Sequence, residues 1–146
     1  MTKLNMMGLF CEDIREEKND MFTLVGLFQD NVEIGFEVGI APKICGYFRF
    51  SFPTETPLPP FKIVMTFPDG ESAEIGNVEQ DVIDKAVRET KAQGGPIATV
   101  ISRAILTGLR VTLGRLVVTA NIAGEEHILA ALNFVLAPDA KPSPSA

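Results

Sequence analysis

The stretch "YFRFSF" (residues 47–52) decides the fold class of this 146-residue chain. Phenylalanine occupies every even position of the stretch, whereas tyrosine, arginine and serine occupy the odd positions. The stretch "FKIVMTF" (61–67) repeats this alternation, with Phe, Ile, Met and Phe at its odd positions. Alternation with a period of two is typical of half-buried strands in an antiparallel sheet, so both stretches predict such strands.

Turn signals separate these strands from their neighbours. The segment "PTETPLPP" (53–60) carries four prolines in eight residues, which predicts a stiff extended loop between the two strands. The segment "PDGE" (68–71) predicts a tight turn, and "AGEE" (123–126) predicts the turn of a last hairpin. About eight strands at short intervals indicate an antiparallel β-sandwich; a closed β-barrel is the alternative for the same strand count.

One segment, "NVEQDVIDKAVRETKAQGGP" (77–96), breaks the strand pattern and predicts a helix near residues 78–93. Asn77 is the expected N-cap, with Gln80 three residues later, and Gly94 and Pro96 are expected to end the helix. Its apolar residues recur at helical spacing: Val78, Val82, Ile83, Ala86 and Val87.

The length and composition fit one domain. A chain of this size forms a single core, which we assign to residues 1–137. The remaining segment, "PDAKPSPSA" (138–146), has three prolines and no large apolar side chain, which predicts a disordered or extended tail.

Charge and cysteine content narrow the classes of partner. The formal net charge is −6 and the basic residues are scattered, which argues against a nucleic-acid surface. No apolar run approaches the roughly 20 residues of a membrane-spanning helix, so we expect no membrane association. Cys11 and Cys45 each lie in an apolar run, which predicts buried, reduced thiols and a cytoplasmic protein.

The charged segment between residues 12 and 20 is the most prominent candidate site. It lies between two apolar runs in "LFCEDIREEKNDMFTLVGLF" (9–28), which indicates the solvated turn of a hairpin. A second interpretation is a calcium site built from its carboxylates, although the segment lacks a glycine and contains Arg15 and Lys18. A third is structural: Arg15, paired with Asp13 or Glu17, would join the two strands.

Signatures of enzymes are missing from the sequence. His127 is the only histidine, and no nucleophile-elbow, phosphate-loop or zinc-protease motif accompanies it. We therefore expect His127 to be an exposed residue at the end of a hairpin. We predict no catalytic residue, no metal ligand and no cofactor.

The segment "NVEIGFEVGIAP" (31–42) is the candidate interaction edge. It has two spaced glycines and alternating apolar residues, including Val32, Ile34 and Phe36. An exposed sheet edge of this kind can accept a strand from a partner. The leading hypothesis is a non-enzymatic protein–protein interaction or assembly module that binds a protein partner or itself. The alternative is a small-ligand or metal-binding sandwich that uses the acidic 12–20 turn.

The first half of the chain also resembles an uncharacterised family of small bacterial β-proteins, a domain of unknown function. The stretches that carry the resemblance are "FCEDIREEKNDMFTLVGLFQDNV", "APKICGYFRFSFP" and "FPDGE". The resemblance implies a compact β fold and no assigned activity. The matching residues are Cys11, Glu12, Asp13, Ile14, Arg15, Glu17, Leu24, Gly26, Phe28, Asp30, Pro42 and Lys43.

Overall fold

The computed structural model describes residues 4–138, which form eleven strands and one α-helix. The strands are β1 (Asn5–Glu16), β2 (Phe22–Leu27), β3 (Asn31–Ile34), β4 (Val38–Ile40), β5 (Ile44–Pro53), β6 (Phe61–Thr66), β7 (Ser72–Val78), β8 (Ile97–Leu106), β9 (Arg110–Thr112), β10 (Gly114–Ile122) and β11 (Glu125–Leu136). The helix is α1 (Gln80–Ala92).

Two open sheets form the β-sandwich that the sequence predicts. The four-stranded sheet has the order β2-β1-β5-β8, and the five-stranded sheet has the order β3-β11-β10-β6-β7. Every pairing is antiparallel except β3 with β11, which is parallel. Strands β4 and β9 form a separate two-stranded ribbon. Among residues 4–138 neither sheet closes on itself, so the barrel alternative is wrong.

The core lies between the inner faces of the two sheets, as the alternation in β5 and β6 predicts. Phe48, Phe50 and Phe52 of β5 are fully buried, and so are the inward residues of β6. The rings of Phe50 and Phe61 meet across the two sheets with their centroids 4.6 Å apart. Such edge-to-face aromatic contacts add to the apolar burial that stabilises the sandwich.

The connections agree with the turn signals, with one boundary shifted. The proline loop carries the chain from β5 in one sheet to β6 in the other. In the "PDGE" turn, Gly70 adopts φ 92° and its N–H donates to the carbonyl of Phe67. The last hairpin turns on two residues only, Ala123 (φ 54°) and Gly124 (φ 82°), since β11 begins at Glu125. Positive φ at both positions is typical of a type I′ turn.

The helix begins later than its sequence signals predict. Strand β7 continues to Val78, and Asn77 pairs with Lys62 of β6, so Asn77 is not the N-cap. The N-cap is Glu79, whose side chain makes no capping hydrogen bond.

The C-terminal end of α1 is as predicted. Gly94 adopts φ 74°, its N–H donates to Lys91, and the N–H of Gly95 donates to Thr90. These two bonds form a Schellman motif. Ile83 packs into the core, whereas Val82 is exposed.

The two sides of the sandwich are closed differently. On one side, α1 connects β7, an edge of the five-stranded sheet, to β8, an edge of the four-stranded sheet. On the other side, Gly8 of β1 lies against Leu129 of β11, and a Cβ at Gly8 would lie 2.6 Å from the Leu129 carbonyl oxygen. The two sheets are thereby held close to each other at both of these sides.

Two further sequence predictions concern the ends of the chain and the membrane. The predicted tail (138–146) lies outside the described residues except for Pro138. The only α-helix of the described part of the chain is too short and too polar to cross a membrane.

Candidate interaction surfaces

The charged segment 12–20 lies in the β1–β2 hairpin, as the sequence predicts. The turn closes through a 2.7 Å hydrogen bond from the Glu17 N–H to the Met21 carbonyl. Asn19 (φ 64°) and Asp20 (φ 57°) adopt the left-handed conformation, which short polar side chains tolerate best among non-glycine residues. Glu12, Asp13, Arg15 and Glu16 precede the turn, because β1 extends to Glu16, whereas Lys18 and Asp20 lie within it.

Several charged side chains of this segment form an ion pair or a hydrogen bond with a neighbouring residue. The Lys43 Nζ lies 2.8 Å from the Asp13 Oδ1 and joins β1 to the residue before β5. The hydrogen bond from Lys43 lowers the pKa of Asp13, and the same contact raises the pKa of Lys43. Thr23 donates a 3.1 Å hydrogen bond to Glu17 across the hairpin.

Arg15 does not have the role that the sequence suggested. Its Nε lies 3.6 Å from the Asp13 Oδ2, and its side chain is 65% exposed. Because both residues belong to β1, the pair does not join the two strands. The cross-strand contact of this hairpin is instead the Thr23–Glu17 hydrogen bond.

The calcium interpretation gains no support from this geometry. Within residues 4–138 no three His, Cys, Asp or Glu side chains converge on a point where a metal ion could bind. Asp13 is already engaged by Lys43 and Arg15.

The hairpin bends out of the four-stranded sheet near Glu12. Strand β1 pairs with β5 from Asn5 to Cys11, and beyond Cys11 its only strand partner within the described part of the chain is β2. On β2, Gly26 lies between the Cys11–Leu27 and Asp13–Val25 pairs and adopts φ 68°. We call the bent part of the hairpin, residues 12–26, the arch.

The tip of the arch rests on the outer face of the four-stranded sheet, the face turned away from the core. The Phe22 ring lies 6.1 Å from the Tyr47 ring, and the Arg103 guanidinium lies 4.8 Å from the Phe22 centroid. Arg103 also forms an ion pair with Glu16. Tyr47 and Arg103 are partners on β5 and β8, so these contacts place the tip above the middle of the sheet.

The two cysteines lie beneath the bend of the arch. Cys11 and Cys45 are cross-strand partners, both are free, and both are fully buried. The Cys11 thiol donates to the Asp13 carbonyl at 3.3 Å, and the Cys45 thiol points to the Glu12 carbonyl at 3.7 Å. Burial, and then the neighbouring Cys45, raise the pKa of Cys11. The predicted burial of both thiols is confirmed.

A groove of about 450 Å³ runs between the arch and the sheet. Its floor contains Arg49 with its two cross-strand partners, Met7 on β1 and Ile101 on β8. We call this space the arch groove. Its wall on the arch side consists of Asp20, Met21, Phe22 and Leu24, and Tyr47 and Thr99 complete the floor.

The arch groove combines apolar side chains with one unpaired cation. Met7, Met21 and Ile101 are exposed, Met21 by 62%. Arg49 is also exposed, and no carboxylate of residues 4–138 lies within ion-pair distance of it. The groove therefore offers apolar contact area and a guanidinium at the same place.

The edge predicted at 31–42 divides into a buried and an exposed part. Val32 and Ile34 of β3 are each only 4% exposed and belong to the core, so their side chains are out of reach of a partner. Phe36 is exposed, together with Val38, Ile40 and Leu113 of the β4–β9 ribbon and its continuation. We call these four residues the ribbon patch.

His127 lies near the start of β11, as expected, but it is only partly exposed. Its Nε2 lies 3.8 Å from the Glu125 carboxylate. Within the described residues, no other carboxylate lies within 4.0 Å of the His127 ring nitrogens.

Comparison of the chain with protein-family models, with curated proteins and with solved structures finds no match. The function must therefore be argued from the surfaces themselves.

The arch groove is not predictable from the local sequence pattern. Its lining comes from β1, β2, β5 and β8, and the pairing of these strands decides which side chains meet. One signal was available: Gly26 interrupts an otherwise apolar strand, and a glycine inside a strand often marks a bulge or a bend.

Proposed function

We propose that this chain is a non-enzymatic protein-interaction module whose partner binds in the arch groove. The observation that carries the proposal is the position of β2 beside an apolar groove. Among residues 4–138, strand β2 pairs only with β1, and its sequence "FTLVGL" contains neither a charge nor a proline. Natural edge strands are usually protected by such residues, so an unprotected edge beside exposed apolar side chains is typical of a binding site.

The contacts of the charged segment support this proposal over the metal-binding alternative. Lys43 and Arg15 contact Asp13, and Arg103 contacts Glu16. The pairs made by Lys43 and Arg103 fasten the arch to the rest of the sheet, which gives Asp13 and Glu16 a structural role. The arch forms one wall of the groove. The charged segment therefore contributes to binding indirectly, because its ion pairs hold the arch in place.

We also propose a cytoplasmic location, with protein rather than nucleic acid or membrane as the partner. Two free thiols at neighbouring positions support a reducing compartment. The net charge of −6 disfavours binding to phosphate backbones.

Membership of the resembled bacterial family is likewise a proposal. Its support is the sequence resemblance over the first half of the chain.

The test is quantitative affinity capture from a lysate of the native host with three forms of the protein. The wild type is compared with Ile101→Asp, which changes the floor of the arch groove, and with Ile40→Asp, which changes the ribbon patch. Both positions are exposed, so both variants should fold, and circular dichroism checks this. We expect a protein that the wild type and Ile40→Asp retain and Ile101→Asp loses. Identical captured sets for all three forms would contradict the proposal.

Self-assembly through the ribbon patch is the second candidate function. The specific observation is the exposure of four large apolar side chains on a short two-stranded ribbon and its continuation, with Ile40 at 62%. Sedimentation equilibrium tests it with the same two variants. Self-assembly predicts a wild-type mass above that of one chain, reduced by Ile40→Asp and unaffected by Ile101→Asp. A monomeric wild type at high concentration would rule it out.

A further inference from the structure

We propose that the ligand of the arch groove is an extended peptide segment of a partner protein, which adds as a strand to the free edge of β2 and places one carboxylate on Arg49. This inference rests on the proposed function and specifies its partner. Three features of the groove carry it: the open backbone edge, the apolar flanks of Arg49, and the distribution of charge.

The backbone edge of β2 is available for strand addition. The strand spans six residues, and its only strand partner among residues 4–138 is β1. No turn or loop of the described residues donates a backbone hydrogen bond to β2 or accepts one from it. Its outward N–H and C=O groups can therefore pair with an incoming strand, whose own backbone supplies matching groups.

The floor of the groove determines which side chains the incoming strand should carry. Arg49 lies between Met7 and Ile101 in one cross-strand row of the sheet. Alternate side chains of an added strand point to the same face, so some of them point toward this floor. Apolar side chains suit Met7 and Ile101, and a carboxylate between them suits the guanidinium of Arg49.

The surrounding charges indicate one carboxylate rather than several. Arg103, the neighbouring cation, is already engaged by Glu16 and by the Phe22 ring. Arg49 has no carboxylate within ion-pair distance among residues 4–138. Asp20 lies on the wall of the same groove and repels additional acidic groups. The fitting ligand is therefore a mostly apolar strand with a single Asp or Glu.

The experiment selects short random peptides displayed on phage against the immobilised wild type and, in parallel, against Arg49→Gln. For the wild type we expect enrichment of peptides with one acidic residue and apolar residues at alternate positions. For Arg49→Gln we expect the apolar preference without the acidic one. An acidic preference that persists in Arg49→Gln, or wild-type peptides without an acidic residue, would overturn the role of Arg49.

A selected peptide then tests the affinity and the mode of binding. Replacing its acidic residue by the amide should weaken binding to the wild type by about tenfold, as expected for loss of a charge-assisted hydrogen bond, and should leave binding to Arg49→Gln unchanged. Amide hydrogen exchange of the complex should slow in β2. Protection confined to the β4–β9 ribbon would overturn strand addition at β2.

The outcomes separate this inference from the proposed function. If no peptide is enriched, the ligand is not an extended segment and the inference fails. In that case, a host protein that the wild type captures and Ile101→Asp does not would still support the proposed function as an interaction module. If the groove is instead filled by a second copy of this chain, Ile101→Asp would lower the mass measured by sedimentation, which overturns the peptide ligand.

Discussion

Gly26 is the residue on which the bend of the arch depends. Its φ of 68° is favourable for glycine and strained for other residues, and a Cβ there would lie 2.8 Å from the Glu12 carboxyl carbon. We predict that Gly26→Ala lowers the free energy of unfolding by about 1–2 kcal/mol, measured by urea denaturation. Gly39→Ala is the matched control, because Gly39 has open space around its Cβ position and no positive φ. Equal effects of the two substitutions would contradict the prediction.

We expect Cys11 to make the free energy of unfolding depend on pH in the alkaline range. Burial and Cys45 raise its pKa in the folded state, so the folded protein keeps a proton that the unfolded chain releases. Its contribution to stability is therefore complete below the unfolded thiol pKa of about 8.5 and is lost as pH rises toward the folded pKa. We predict that the free energy of unfolding of the wild type falls as the pH rises from about 8 to about 10. In Cys11→Ala this fall should be less steep. Parallel pH profiles in urea denaturation would show that Cys11 does not contribute.

At the scale of elements, Arg103 fastens the arch to the sheet. Its guanidinium pairs with Glu16 and lies over the Phe22 ring, which also contacts Tyr47. Since both groups are partly exposed, the two contacts are together worth on the order of 1 kcal/mol. We predict that Arg103→Met speeds amide exchange in β2 several-fold and changes global stability little, because only the arch opens. Arg115→Met, at an exposed arginine of β10, is the control and should leave β2 exchange unchanged. If the two variants gave the same exchange rates, Arg103 would not hold the arch.

How well each element could be predicted depends on whether the residues that determine it lie close together or far apart in the sequence. Strands β5 and β6 carry strict alternation within six or more residues, so local pattern was sufficient to predict them. Strands β3, β4 and β9 are three or four residues long, too short for a period to be recognised, which explains why eleven strands replace the predicted eight. Asn77 has the sequence of a helix cap, but its pairing with Lys62 prevails.

The candidate site was less predictable than the fold, because it is formed by residues that lie far apart in the sequence. The burial of Val32 and Ile34 results from the parallel pairing of β3 with β11, a strand about a hundred residues away. The ion pair of Glu16 with Arg103 requires both the bend at Gly26 and the order of β1, β5 and β8. The charged segment was recognisable as a hairpin, whereas its folding back onto the sheet was not.

For the whole molecule, the sandwich leaves one outer face partly covered and partly open. The core is closed at one side by α1 and at the other by the contact of Gly8 with Leu129. The arch covers the middle of the four-stranded sheet and leaves the arch groove between β2 and the row of Met7, Arg49 and Ile101. Both the proposed function and the choice of ligand therefore depend on the arch lying on this face.

The measurement that tests this claim most directly is the nuclear Overhauser effect between the rings of Phe22 and Tyr47. Tyr47 is the only tyrosine of the chain, so its ring signals can be assigned without ambiguity. With the ring centroids 6.1 Å apart and the rings edge to face, we predict direct cross-peaks between their protons. Cross-peaks from Tyr47 to its strand partners Leu9 and Arg103, without any to Phe22, would show that the arch does not rest on the sheet and would contradict the account.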